Sequence, residues 1–124
     1  MRVLVVDDEH DIKLLFEQYF RKEIKNQEIK LTYAFSGEEA LNCLNDTSYH
    51  AILILSDINM PGMSGLKLLE NIKSNHVSSS TYVVMITSYG DEENYRYAVE
   101  IGADDFITKP VDFHELKYKL KNLP

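Results

Sequence analysis

At 124 residues, with 44% apolar side chains, five Gly and three Pro, the chain has the size and composition of one compact domain with one core, spanning 1–124, and no second module is expected in it. Twenty acidic residues against thirteen Lys and Arg leave a net charge of −7, which repels nucleic acid and anionic membrane surfaces and argues against direct binding to either. Cys43 stands alone, so the chain cannot build an internal disulfide or a cysteine metal cage, in keeping with a reducing, cytoplasmic setting.

In chain order, the first apolar run is Val3-Leu4-Val5-Val6, a strand far too short for a signal-peptide core or a membrane span. Ile12, Leu15, Phe16, Tyr19 and Phe20 follow at helical spacing and predict an inward face. Leu31 to Ala34 form a second strand, then Ser36 with Glu39 resembles a helix cap ahead of Ala40, Leu41 and Leu44. A third strand is predicted from Ala51 to Leu55. Ser64 caps a helix carrying Leu66, Leu69 and Ile72, the Ser-rich stretch 77–80 reads as a loop, and Tyr82 to Ile86 form strand four. A fourth helix ends near Gly102, a weaker fifth strand spans Asp105 to Thr108, and a fifth helix carries Phe113 and Tyr118.

Strands one, three and four are apolar on both faces, as parallel strands covered by helices on two sides must be. Five strands alternating with five helices therefore predict an α/β fold: a doubly wound five-stranded parallel sheet with helices on both faces. One of the two common orders for such a sheet is 2-1-3-4-5, in which ligands bind beyond the carboxyl ends of the strands.

Four of the five strands deliver polar groups to that rim: Asp7-Asp8-Glu9, Asp57, Thr87-Ser88 and Lys109-Pro110. Singly, each could be a cap, a turn or an exposed side chain. Together they place three carboxylates, a hydroxyl and an ammonium on one edge. Clustered carboxylates repel one another unless a cation sits among them, and Mg²⁺ suits an open acidic cluster that shares it with water and phosphate oxygens. A carboxylate nucleophile, a divalent ion and an ammonium make up the parts needed for phosphoryl transfer. His10, His50, His76 and His114 are scattered, and no Ser-His-Asp pattern, zincin motif, P-loop or dinucleotide glycine fingerprint is present.

The runs Val5-Val6-Asp7-Asp8-Glu9, Asp57-Ile58-Asn59-Met60-Pro61-Gly62-Met63-Ser64-Gly65, Thr87-Ser88 and Gly102 to Pro110 resemble response-regulator receiver domains of two-component signalling, which are flavodoxin-like in fold. The resemblance spans nearly the whole chain. It implies Asp57 as the phosphoacceptor, fed by a histidine kinase or histidine phosphotransfer protein. It also implies Mg²⁺ ligation by Asp8, Asp57 and the Asn59 backbone carbonyl, with Asp7 as an outer or water-mediated contributor. Thr87 and Lys109 would hold phosphoryl oxygens, and a cis peptide before Pro110 would aim Lys109 into the site. Phe106 matches the aromatic switch position that responds to Thr87. Asn59 and Tyr89 occupy positions that tune hydrolysis, and Tyr89 is expected to shield the phosphate. The face made by helix 4, strand 5 and helix 5, with Asp91 to Tyr97, Phe113 and Tyr118, is expected to bind an effector or a second copy.

Such a protein phosphorylates and dephosphorylates itself and is not a turnover enzyme. A Mg-dependent phosphatase of the haloacid-dehalogenase type is the rival reading, but its general acid would stand at Asn59, which cannot donate a carboxylic proton. A flavin module would meet repulsion between Asp7-Asp8-Glu9 and the flavin phosphate. A phosphate-independent docking module would usually have lost an acid or the lysine, and here none is lost. Chain length is compatible with a stand-alone receiver or one cut from a larger regulator or hybrid kinase.

Overall fold

The computed structural model describes residues 1–46, 51, 53–75, 81–88 and 90–123. Tyr89, His50, His76 and the Ser-rich loop at 77–80 therefore lie outside the described residues. The elements run β1 (Arg2–Val6), α1 (Asp11–Tyr19), α2 (Arg21–Lys25), β2 (Lys30–Ala34), α3 (Gly37–Asn45), β3 (Leu53–Asp57), α4 (Gly65–Ser74), β4 (Tyr82–Thr87), α5 (Glu92–Ile101), β5 (Asp105–Thr108) and α6 (Phe113–Lys121). All paired strands are parallel, as the alternating pattern predicts, in the order β2-β1-β3-β4-β5, one of the two common orders.

Strand side chains alternate between faces, and the core divides accordingly. Val3, Val5, Leu53, Leu55 and Val84 pack against Phe16, Phe20, Phe113 and Leu116 on one side. Leu4, Val6, Ile54 and Met85 pack against Ala40, Leu68, Leu69, Ile72 and Ala98 on the other. Both caps read from the sequence are present: Ser36 Oγ accepts from Glu39 N at 3.0 Å and Ser64 Oγ accepts from Lys67 N at 3.2 Å. Gly102 ends α5 at φ 115°, the left-handed stop where glycine avoids a Cβ clash. Cys43 is half-buried and packs against the second of these cores.

Three expectations need correction. The first helical pattern is two helices, because Phe20 (φ −103°, ψ 16°) leaves helical geometry between α1 and α2, so the described residues hold six helices. Its inward face is narrower than the periodicity suggests. Phe16 and Phe20, four apart, are buried, whereas Leu15 is 42% and Tyr19 46% exposed, the latter stacked on Phe113 at 4.3 Å. Strand three runs from Leu53 to Asp57, not from Ala51 to Leu55, because Ser56 and Asp57 pair in register with Met85 and Ile86.

Where β3 leads into α4, Gly65 N donates to Ile58 O at 2.8 Å. A Cβ added at Gly65 would lie 2.0 Å from the Asp57 carbonyl oxygen, a backbone atom that cannot step aside. Replacing Gly65 with Ala should therefore destabilise the fold by about 3 kcal/mol or more. At Gly90 (φ 88°) nothing lies within 4 Å of an added Cβ, and Ala there should cost only about 1–2 kcal/mol of backbone strain. Urea unfolding of the two variants measures the difference.

Tyr33 on β2 offers a second test. Its hydroxyl is buried without a hydrogen-bond partner, and burial, helped by the charge of Glu17, pushes its pKa up to about 12 from 10.0. Above pH 10 the unfolded chain releases this proton while the folded chain keeps it, so stability falls as pH rises from about 10 to about 12. Tyr33→Phe removes an unsatisfied group and should gain about 1 kcal/mol at pH 7. It should also flatten part of the alkaline loss, as denaturant midpoints across pH 8–12 would record.

Candidate functional site

The switch point of the sheet lies between β1 and β3, whose carboxyl ends deliver the acids. Asp7 follows β1 directly and is 3% exposed; its N donates to Ala34 O at 3.1 Å, and its Oδ1 accepts from Glu9 N at 2.9 Å. Asp8 is half-buried beside it. Asp57, the last residue of β3, is 2% exposed. Its Oδ1 accepts from Asn59 N at 3.1 Å and its Oδ2 accepts from Lys109 Nζ at 2.5 Å. One carboxylate oxygen from each of Asp7, Asp8 and Asp57 lies within 4.8 Å of the others.

β4 and β5 bring the remaining groups. Thr87, buried at the end of β4, accepts at its carbonyl from Lys109 N at 2.8 Å. The Lys109–Pro110 bond is cis, as expected, and Lys109 reaches Asp57. Phe106 is half-buried in β5, paired in register with Met85 and packed on Tyr95 with ring centroids 4.4 Å apart. Asn59 is exposed on the loop after β3. The structure thus gathers Asp7, Asp8, Asp57, Asn59 and Lys109 at one point, with Thr87 on the neighbouring strand end and Phe106 farther along β5.

Burial is the main cause that raises the Asp7 pKa, and the charges of Asp57 and Asp8 add to it, against the opposing pull of the Glu9 amide and Lys109. Burial also works hardest on Lys109 and against its charge, yet the hydrogen bond to Asp57 and the charges of Asp57, Asp7 and Glu9 outweigh it and raise its pKa. Three carboxylates facing one ammonium leave two negative charges uncompensated. An all-oxygen donor set with that charge fits a hard divalent cation such as Mg²⁺.

Several contributors escaped the sequence reading. Ser56, buried in β3, donates from Oγ to the Asp57 carbonyl at 3.1 Å; a polar residue inside an apolar strand was the available signal. His10 stacks on Phe35 with centroids 4.0 Å apart and 12° between planes, joining the loop after β1 to the turn after β2. An added Cβ at Gly37 would lie 2.9 Å from the Met63 side chain, so the same turn also abuts the loop after β3. No single segment of sequence carries a sign of these contacts.

The family model for the response regulator receiver domain matches residues 3–121. This chain belongs to the response regulator receiver family. The receiver is 36% identical over 121 residues to the regulatory protein VanR of Enterococcus faecium, with 97% of this chain and 48% of that protein covered. It is 32% identical to the phosphate regulon transcriptional regulatory protein PhoB of Pseudomonas aeruginosa, covering 96% of this chain and 49% of that protein. The chain therefore spans about half the length of these relatives. Among solved structures, a response regulator receiver protein from Pseudomonas putida superposes with a TM-score of 0.85 at 26% identity, over 98% of this chain and 96% of that one. Among the described residues, no helix is long and apolar enough to cross a membrane.

Among the described residues, Lys109 is the cation in direct contact with the acidic cluster, so its removal should be felt in stability. With its side chain about a third exposed, the pair lies between a surface and a buried ion pair. Lys109→Met is expected to cost about 1–2 kcal/mol at pH 7 without divalent ions, measured by urea unfolding in the presence of a chelator.

Proposed function

We propose that this receiver takes a phosphoryl group onto Asp57 from a phosphohistidine donor, a histidine kinase or a histidine phosphotransfer protein, in a Mg²⁺-dependent reaction. The observation that carries the reading is Asp57 itself, buried at a strand end with Lys109 on one oxygen and the acidic cluster at its side. Mg²⁺ held by Asp8, Asp57 and the Asn59 carbonyl, with Asp7 acting directly or through water, would neutralise phosphoryl oxygens and the surplus charge of the cluster.

Asp57 Oδ1, held by Asn59 N rather than by Lys109, is the oxygen better placed to attack. The new O–P bond forms as the donor's N–P bond breaks, and the electron pair returns to the imidazole. A carboxylate needs no general base for this step. Lys109 exchanges its bond to Asp57 for one to a phosphoryl oxygen, and the Thr87 hydroxyl donates to another. Thr87 thereby moves toward the phosphate, and Phe106 follows by burying its ring. Hydrolysis of the acyl phosphate returns the resting state, tuned by Asn59 and by Tyr89. The receiver thus modifies and restores itself and does not turn over a free substrate.

The output face of this reading is α5, β5 and α6, the fourth helix, fifth strand and fifth helix of the sequence reading. Tyr95, Tyr97 and Val99 are exposed on α5 and Tyr118 on α6, a surface suited to an effector or a second copy. Tyr97 Oη donates to Glu70 across α4 and α5, and Lys119 pairs with Asp105 at 2.8 Å.

Incubation with acetyl phosphate and MgCl₂ should add one phosphoryl group by intact mass, and neither the chelated protein nor Asp57→Asn should gain it. Magnesium at a hundredfold excess over its dissociation constant should also raise the unfolding free energy by about 2.7 kcal/mol, an increment that Asp8→Asn largely removes. Cation binding without mass gain, with phosphohistidine donors also inactive, would replace this reading with that of a docking module independent of phosphate.

A further inference from the structure

The outer edge of the sheet carries a feature that phosphoryl chemistry leaves unused. Lys30 N donates to Met1 O, and Asp7 N donates to Ala34 O, so residues 30 and 34 bond inward to β1. Each strand residue directs its N–H and C=O to the same side, and successive residues alternate. The N–H and C=O of Leu31 and Tyr33 therefore face outward, on an edge strand with no neighbour beyond it among the described residues.

Beside this edge lies a groove of about 720 Å³ in which Leu31, Tyr33 and Ile24 provide apolar walls. Arg21, Lys25 and Lys30 line it, with Glu17 as the one acid. None of the three cations makes an ion pair among the described residues. In a chain of net charge −7, this is a local concentration of unspent positive charge. The buried Tyr33 hydroxyl, also at this groove, has no hydrogen-bond partner.

We propose that the β2 edge and its groove dock an extended acidic segment of a partner protein, which pairs by backbone with Leu31 and Tyr33 and sets carboxylates against Arg21, Lys25 and Lys30. Three classes of open group have to be matched at once: outward amides, outward carbonyls and uncompensated cations. An extended peptide with acidic side chains supplies all three, in the manner of strand addition to a sheet edge. A nucleic-acid strand answers the cations with phosphates but brings no regular ladder of donors for the two carbonyls. A second copy of this chain, edge to edge, would set the two groups of Arg21, Lys25 and Lys30 against each other, a like-charge contact that opposes pairing.

The test uses the whole chain, labelled with ¹⁵N, and a blocked seven-residue peptide alternating glutamate and valine. Amide spectra should show shifts at Leu31 and Tyr33 and slowed solvent exchange of those two amides. Affinity should fall with added salt and by about tenfold or more in the Arg21→Glu, Lys25→Glu double variant, whose amide dispersion serves as the check on folding. A matched lysine–valine peptide should not bind, and Asp57→Asn should bind the acidic peptide as the parent does, which separates this proposal from the phosphoacceptor reading. The proposal is overturned if the acidic peptide leaves Leu31 and Tyr33 unshifted, if charge reversal leaves affinity unchanged, or if an oligouridylate shifts those residues while the peptide does not.

Discussion

The contact between Lys109 Nζ and Asp57 Oδ2 at 2.5 Å is the constraint on which the remainder of the rim depends. It spans from the end of β3 to the residue just beyond β5, with β4 lying between them. A parallel sheet makes such a contact natural, because every strand ends on the same side and the side chains there converge over the sheet edge. The loop after β5 must hold Lys109 against β4, which the bond from Lys109 N to Thr87 O achieves. Thr87 and Lys109 are thereby tied together at the backbone, which leaves the Lys109 side chain free to reach Asp57.

The acids opposite are held at a cost in desolvation. Asp7 and Asp57 are almost wholly buried, and among the described residues the donors that face them are few: Glu9 N, Asn59 N and Lys109 Nζ. A fold selected for stability alone would replace one of the three carboxylates with an amide or an apolar group. Keeping all three leaves clustered negative charge, a field of the kind that a divalent cation would relieve. Gly65 belongs to the same arrangement, since its missing Cβ lets α4 begin directly over the Asp57 carbonyl.

How much of this could be read beforehand follows from where each signal resides. β1, β3 and β4 were legible because two helical layers demand apolar residues on both strand faces, and the site residues were legible because polar side chains interrupt those runs at their carboxyl ends. The extent of β3 was less so: its apolar run stops at Leu55, and pairing with Met85 and Ile86 carries the strand on through Ser56 to Asp57. The break at Phe20 was equally hidden, because an apolar residue at that spacing suits a continuing helix and a new one alike. Leu15 and Tyr19 match the helical period yet sit to one side of the stripe formed by Phe16 and Phe20. The His10–Phe35 stack, the seat of Met63 on Gly37 and the β2 groove depend on segments that meet only in three dimensions, and sequence periodicity has no term for such meetings.

β2 connects the two regions of interest without making them one. At its carboxyl end the turn through Phe35 and Gly37 abuts both loops that carry the acidic cluster, through His10 and Met63. Along its outer edge the groove is lined by none of the residues that make that cluster. Coupling between two sites requires an element with two arrangements that both sites bias. β2 pairs with β1 through all five residues, and its last residue, Ala34, accepts from Asp7 N, a ladder in which a slip by one residue would turn every side chain to the other face. A segment added to the edge extends this ladder and leaves its geometry as it was. The proposed edge docking and the proposed phosphorylation are therefore expected to act independently on one scaffold, since an added strand leaves the β2 ladder as it is.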